Sequence, residues 1–110
     1  GMTSDLYDLE KWSAALAGGA LISEAARSEQ FSFIECSPEN GYEMYGFGVM
    51  RKGGFIGHEG HLMGYNNAMY CLPGDGASVV VLLNRYYGDE SVAGAAFMAL
   101  ARTAVPGALM

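Results

Sequence analysis

The run Ala77-Ser78-Val79-Val80-Val81-Leu82-Leu83 constrains the fold more than any other stretch of this chain. It follows Pro73-Gly74-Asp75-Gly76, a composition made for a tight turn. A half-exposed strand alternates apolar and polar residues, whereas a run apolar at nearly every position needs cover on both faces. The pattern therefore predicts a central strand over residues 77–83, flanked by helices and entered through a hairpin.

Three further strands are predicted upstream, over residues 44–50, 54–60 and 65–72. In the first, Tyr45, Phe47 and Val49 share one face, and Gly46 and Gly48 share the other. Between the strands lie Gly-containing turns. Before them, Phe31, Phe33 and Ile34 have apolar surface to bury, and Ser37-Pro38-Glu39-Asn40-Gly41 carries turn chemistry.

Helices are predicted at both ends. Ser4 is a suitable N-cap, with Asp5 and Asp8 in the first turn, where the helix dipole favours negative charge. Leu6, Leu9, Trp12 and Leu16 recur at helical spacing until Gly18-Gly19 stops the helix. Ser23 caps a second, brief helix through about Ser28. After the last strand, Asp89 caps a helix from about residue 90 to 104, which lays Val92, Ala96, Ala99 and Leu100 on the sheet and ends at Pro106-Gly107. The expected class is α+β: an antiparallel sheet of about four strands, a C-terminal helix on one face and an N-terminal helix pair. At 110 residues the chain has room for a single domain, residues 1–110.

Composition narrows the function. A net charge of −6 with only six basic residues argues against nucleic acid and against anionic membrane surfaces. No apolar run approaches the ~20 residues of a membrane span, so membrane insertion is not expected. Nor is a secretory leader visible in this stretch, and the compartment stays unknown. Cys36 and Cys71 lack metal spacing and any Cys-x-x-Cys pattern; two reduced thiols are the favoured reading, with a disulfide between them as the alternative. No cofactor motif is present: Gly46-Phe47-Gly48 is too little for a nucleotide loop.

The chemistry concentrates in Gly57-His58-Glu59-Gly60-His61-Leu62-Met63-Gly64-Tyr65, followed by a hairpin and Val79-Val80-Val81-Leu82-Leu83-Asn84. This block resembles the last third of the serine β-lactamase-like hydrolases: class C β-lactamases, D-alanyl-D-alanine carboxypeptidases and related esterases. The order Asp8-Leu9-x-x-Trp12-x-x-Ala15-Leu16-x-Gly18-Gly19-x-Leu21-Ile22-Ser23 is similar to the helix that leads back to the sheet in that family. The resemblance runs from Met2 to Ala104 and implies a partial β-lactamase/transpeptidase-like fold.

It also implies site roles. His58 matches the lysine of the family's Lys-Thr-Gly strand, which faces the catalytic groups and helps bind a substrate carboxylate; the plainer alternative is a strand histidine hydrogen-bonded to a neighbour. Gly60 lets substrate lie against the backbone, and the N–H of His61 matches half of the oxyanion hole, a donor worth ~3 kcal/mol when well aimed. A side chain as large as histidine at that position departs from the family's small residue. Glu59 is assigned to substrate binding, against the alternative of a solvated or salt-bridged carboxylate on the opposite face. No metal is expected, because histidines three apart on a strand point to opposite faces. Tyr65-Asn66-Asn67 imitates the family's Tyr-x-Asn motif, but it follows the His-x-Gly strand instead of preceding it, so packing is the role read for Tyr65.

What the family's mechanism needs and this sequence lacks is the nucleophile. Neither Lys11 nor Lys52 has a serine three residues before it; those positions hold Asp8 and Val49. The expectation is a C-terminal fragment of a serine hydrolase acting on small amide or ester substrates, inactive alone, completed by a missing N-terminal half. The alternative is a non-catalytic module that binds a partner or forms a homodimer through an unpaired sheet edge.

Overall fold

Short turns between successive apolar stretches leave each strand only its predecessor to pair with, and the sheet is accordingly a meander. The computed structural model describes residues 2–36, 44–85, 88 and 90–109. Helices α1 (Leu6–Gly18) and α2 (Glu24–Gln30) precede strands β1 (Ile34–Glu35), β2 (Met44–Tyr45), β3 (Met50–Lys52), β4 (Phe55–Leu62), β5 (Tyr65–Cys71) and β6 (Ser78–Leu83). Helix α3 (Val92–Ala104) and a 3-10 turn (Pro106–Leu109) complete the chain. All pairings are antiparallel, in the order β1-β2-β3-β4-β5-β6.

The α+β class and antiparallel sheet stand, but the strands number six among the described residues instead of about four. The predicted strand over residues 44–50 is broken into β2 and β3. Gly46 N–H bonds the Val49 carbonyl at 2.8 Å, turning the chain back so that Tyr45 pairs with Met50. Two-period alternation continued through that turn, and the pattern could not reveal it. The Ser37 to Gly41 turn and the Asp89 cap lie outside the described residues.

β6 is covered on both faces, by α1 and by α3, as its continuous apolarity requires. It is nevertheless the outermost described strand rather than a central one. Register sorts the side chains cleanly. Phe55, Gly57 and Glu59 of β4, Ala68 and Tyr70 of β5, and Val79, Val81 and Leu83 of β6 face α3. Ile56, His58 and Gly60, then Met69 and Cys71, then Ser78 and Val80, belong to the α1 face.

On the α3 face, Phe97 stacks on Tyr70 at 4.1 Å between ring centroids and meets Phe55 edge-on at 5.2 Å. Ala93 and Ala101 bring the helix close enough for this contact. The helix is rotated from the predicted face: Ala93, Gly94, Phe97 and Ala101 are buried, whereas Ala99 and Leu100 are exposed. Phenylalanine carries more apolar area than the small residues that suggested the other face.

α1 shows a similar rotation. Ser13 and Ala17 are buried, Ala17 against Ile56 and Cys71, while Leu6 and Trp12 remain exposed. Its cap is Asp5, which accepts from Asp8 N–H, not Ser4; Gly19 ends the helix in the left-handed conformation at φ 67°. Ser23 caps α2 as expected, and that helix runs on to Gln30. Ser91 caps α3. Cys36 and Cys71 are both free thiols.

One glycine decides the sheet's packing. A Cβ on Gly57 would sit 1.9 Å from the Met69 carbonyl oxygen and 2.7 Å from the Tyr70 ring. Gly57→Ala is expected to cost about 3 kcal/mol, the upper range for overpacking, read as a lowered urea midpoint. Gly60→Ala, where a Cβ meets nothing within 4 Å, serves as the control and should move the midpoint far less.

Candidate functional site

β4 is longer than β3, and that difference creates the site. β3 pairs with β4 only through Lys52↔Phe55, Arg51↔Ile56 and Met50↔Gly57. Among the described residues, no strand pairs with the remainder of β4 on that side. The backbone direction there follows from one hydrogen bond. Leu72 N–H donates to the Ala77 carbonyl at 2.8 Å, next to the Cys71↔Ser78 pair. Antiparallel alternation then turns the backbone groups of Cys71, Met69 and Asn67 towards β4, where they meet Ile56, His58 and Gly60. The intervening Gly57, Glu59 and His61 therefore direct their N–H and C=O groups away from β5; Gly57 meets Met50 of β3 there, whereas Glu59 and His61 face the rim that β3 does not reach.

His58 sits at that rim. Its Nδ1 is hydrogen-bonded to the Glu59 carbonyl oxygen, and its Nε2 lies 3.0 Å from Tyr45 Oη. The Tyr45 ring meets the imidazole edge-on at 5.8 Å. Gly60, two residues along on the same face, is exposed and has open space around it. Apolar neighbours at the β4–β5 tip, Leu62, Met63 and Tyr65, are also exposed.

The opposite face of β4 holds a buried polar cluster. Lys52 Nζ is ion-paired with Glu59 Oε1, and their side chains retain 6% and 10% of their accessible surface. Tyr70 Oη donates to the same oxygen at 2.8 Å, and Ser91 Oγ donates to Oε2. Gly94 makes the approach possible, since a Cβ there would lie 2.4 Å from Glu59 Oε2. Beside the cluster, Asn66 Nδ2 donates to the Glu90 carbonyl, and Asn66 Oδ1 accepts from Ala93 N–H, both at 2.9 Å. These contacts seat the first turn of α3, where the helix dipole also favours the Glu59 carboxylate. Burial, followed by the charge and hydrogen bond of Glu59, pushes the Tyr70 phenol well above its ordinary range.

The predicted site residues thus divide. His58 and Gly60 lie on one face, and the His61 N–H points to the adjoining rim. Glu59 lies on the other face, and its carboxylate is taken up by Lys52, Tyr70 and Ser91, so the substrate-binding assignment gives way to the salt-bridged alternative. The register that separates His58 from Glu59 also separates His58 from His61, so the two imidazoles do not converge. Tyr45 was not singled out from the sequence. The turn at 46–49 brings Tyr45 beside Met50 and so towards His58, and the alternation through those residues gave no sign of that approach. Lys52 pairs in register with Phe55, which shares its face of β4 with Glu59, and that shared face is the signal for the ion pair.

Two outcomes test the cluster. Lys52→Met leaves a buried carboxylate without its counter-ion and should cost about 3–5 kcal/mol, most of it recovered in the Lys52→Met/Glu59→Gln double variant. Tyr70 keeps its proton in the fold at a pH where an unfolded phenol, near ~10, releases it. Its contribution is therefore complete below about pH 10 and declines as pH rises further. Urea midpoints at about pH 8 and 10.5 should fall more for the wild type than for Tyr70→Phe; equal falls would contradict this.

Comparison with known proteins bears on the family and the fold. A family model described as Beta-lactamase matches residues 1–103. Among solved structures, a D-stereospecific amidohydrolase from Streptomyces sp. aligns at 23% identity with a TM-score of 0.71, over 94% of this chain and 30% of that one. This chain therefore spans under a third of the length of that protein. At such identity the likeness speaks for the fold. No curated protein matches. The matched model takes in both α1 and the His58 strand, and the chain belongs to the beta-lactamase family.

Proposed function

We propose that β4 is one wall of an acyl-transfer cleft in a serine hydrolase acting on amide or ester bonds, with the nucleophile supplied from outside these 110 residues. The observation that carries this reading is the rim of β4. There an imidazole, an unobstructed glycine and an outward-directed backbone N–H fall within four consecutive residues, His58 to His61, beyond the end of β3. In that role Gly60 admits the substrate backbone and the His61 N–H stabilises the developing oxyanion, an interaction that gains strength as charge forms. His58 orients the substrate's polar end. Histidine in place of lysine favours the carboxypeptidase and esterase branch over a dedicated β-lactamase. No cofactor takes part.

The chain alone, lacking Ser-x-x-Lys, is inactive in this reading. Nitrocefin and p-nitrophenyl acetate should be hydrolysed no faster with it than in buffer, and mass spectrometry should find no acylated serine. Sustained turnover through an acylated serine of this chain would overturn the assignment. Joined to a segment that carries the nucleophile, the protein should turn over, and His58→Ala, by loosening the substrate's position, should then lower kcat/KM by about 100-fold.

A second reading rests on a different surface. β6 is the outermost described strand, and Leu62, Met63, Tyr65 and Leu82 are exposed. An unpaired edge beside apolar residues favours self-association or a binding partner. Light scattering across concentrations should show dimer formation; a strict monomer at high concentration removes this alternative.

A further inference from the structure

Tyr45 has no place in the readings above, yet its hydroxyl lies 3.0 Å from His58 Nε2. We infer that Tyr45 is a positioning residue, which with the Glu59 carbonyl holds His58 in a single orientation and in the tautomer protonated on Nδ1. The role assigned to His58 rests on the proposed cleft; the tautomer does not.

The argument is one of donors and acceptors. A carbonyl oxygen only accepts, so the contact between His58 Nδ1 and the Glu59 carbonyl requires the proton on Nδ1. A neutral imidazole then has a bare Nε2, an acceptor, and Tyr45 Oη at 3.0 Å fills that need by donating its hydroxyl proton. The ring is thus fixed at both nitrogens.

The fold brings the two together across the rim. Register puts Tyr45 beside Met50 on the α3 side and His58 opposite Met69 on the α1 side. They meet where β3 stops, since the Glu59 carbonyl that holds Nδ1 points to that rim. The turn at 46–49 is what returns the chain there, and its tight approach depends on Gly46, where a Cβ would lie 2.3 Å from the Gln30 carbonyl oxygen.

One consequence bears on recognition. With both nitrogens engaged, a neutral His58 offers a substrate no ring nitrogen, and a carboxylate cannot be bound there as it would be by a lysine. A ligand meets the tyrosine and histidine as a unit, or must displace Tyr45 to reach Nε2.

The test is spectroscopic and reads no turnover, so it can fail while the proposed cleft stands, and the reverse. The full chain is labelled with 15N-histidine, and the two histidines are told apart with His61→Gln. Spectra are taken at about pH 8.5, roughly two units above a reference imidazole. The expected wild-type result is one His58 tautomer, with the proton on Nδ1. In Tyr45→Phe, which keeps the ring and loses only the hydroxyl, an Nε2-protonated population should appear. A wild-type His58 protonated on Nε2 overturns the inference. So does Tyr45→Phe with the wild-type tautomer unchanged, because the Glu59 carbonyl would then suffice alone. If Tyr45→Phe loses its dispersed amide spectrum, a coupling between the Tyr45 hydroxyl proton and Nε2 in the wild type decides instead: its presence supports the contact and its absence overturns it.

Discussion

A buried ion pair sets the terms for the rest of this structure. Lys52 and Glu59 come from neighbouring strands and meet beneath the first turn of α3. Removing either charge from water costs several kcal/mol, which only a close partner and further hydrogen bonds offset. Tyr70 and Ser91 supply those bonds, one from β5 and one from the α3 cap. Four elements are therefore tied to one carboxylate. A one-residue slip of β4 would send Glu59 to the α1 face and strand Lys52 in the apolar layer around Tyr70 and Phe97.

Fixing Glu59 also fixes what lies opposite. Its side chain is held on the α3 side, its carbonyl accepts from His58 Nδ1, and alternation delivers His58 and Gly60 to the other face. The residue between the two candidate site positions serves as their anchor, and the absence of β3 beyond Gly57 opens their rim. Rigid support of this kind is what a site needs when its geometry must be met closely.

Much of this was legible along the chain. Gly18-Gly19, Ser23, the Pro73 to Gly76 turn and the alternation through residues 54–72 each reflect local chemistry, and each reappears in the structure. Less legible were the faces of α1 and α3. Leu6, Trp12, Ala99 and Leu100 fit helical spacing but stay exposed, because which stripe is buried depends on the surface it meets. The turn at 46–49 was hidden because its residues alternate in size just as a continuous strand would. Glu59 was assigned to substrate on its place in the motif, although its opposite-face position was itself readable.

The sequence by itself determined the class of fold, the order of its elements, the family to which the chain belongs and the two-period separation of His58 from Glu59. These are properties of local propensity, of alternation and of motif. Only the tertiary structure decided that Glu59 pairs with Lys52, that Tyr45 meets His58, and that β6 lies outermost of the described strands while carrying the residues of a buried strand. The physical reason is that pairing energies belong to neighbours in space. A charged or hydroxyl-bearing side chain declares what partner it needs, but not which distant residue the folded chain will supply.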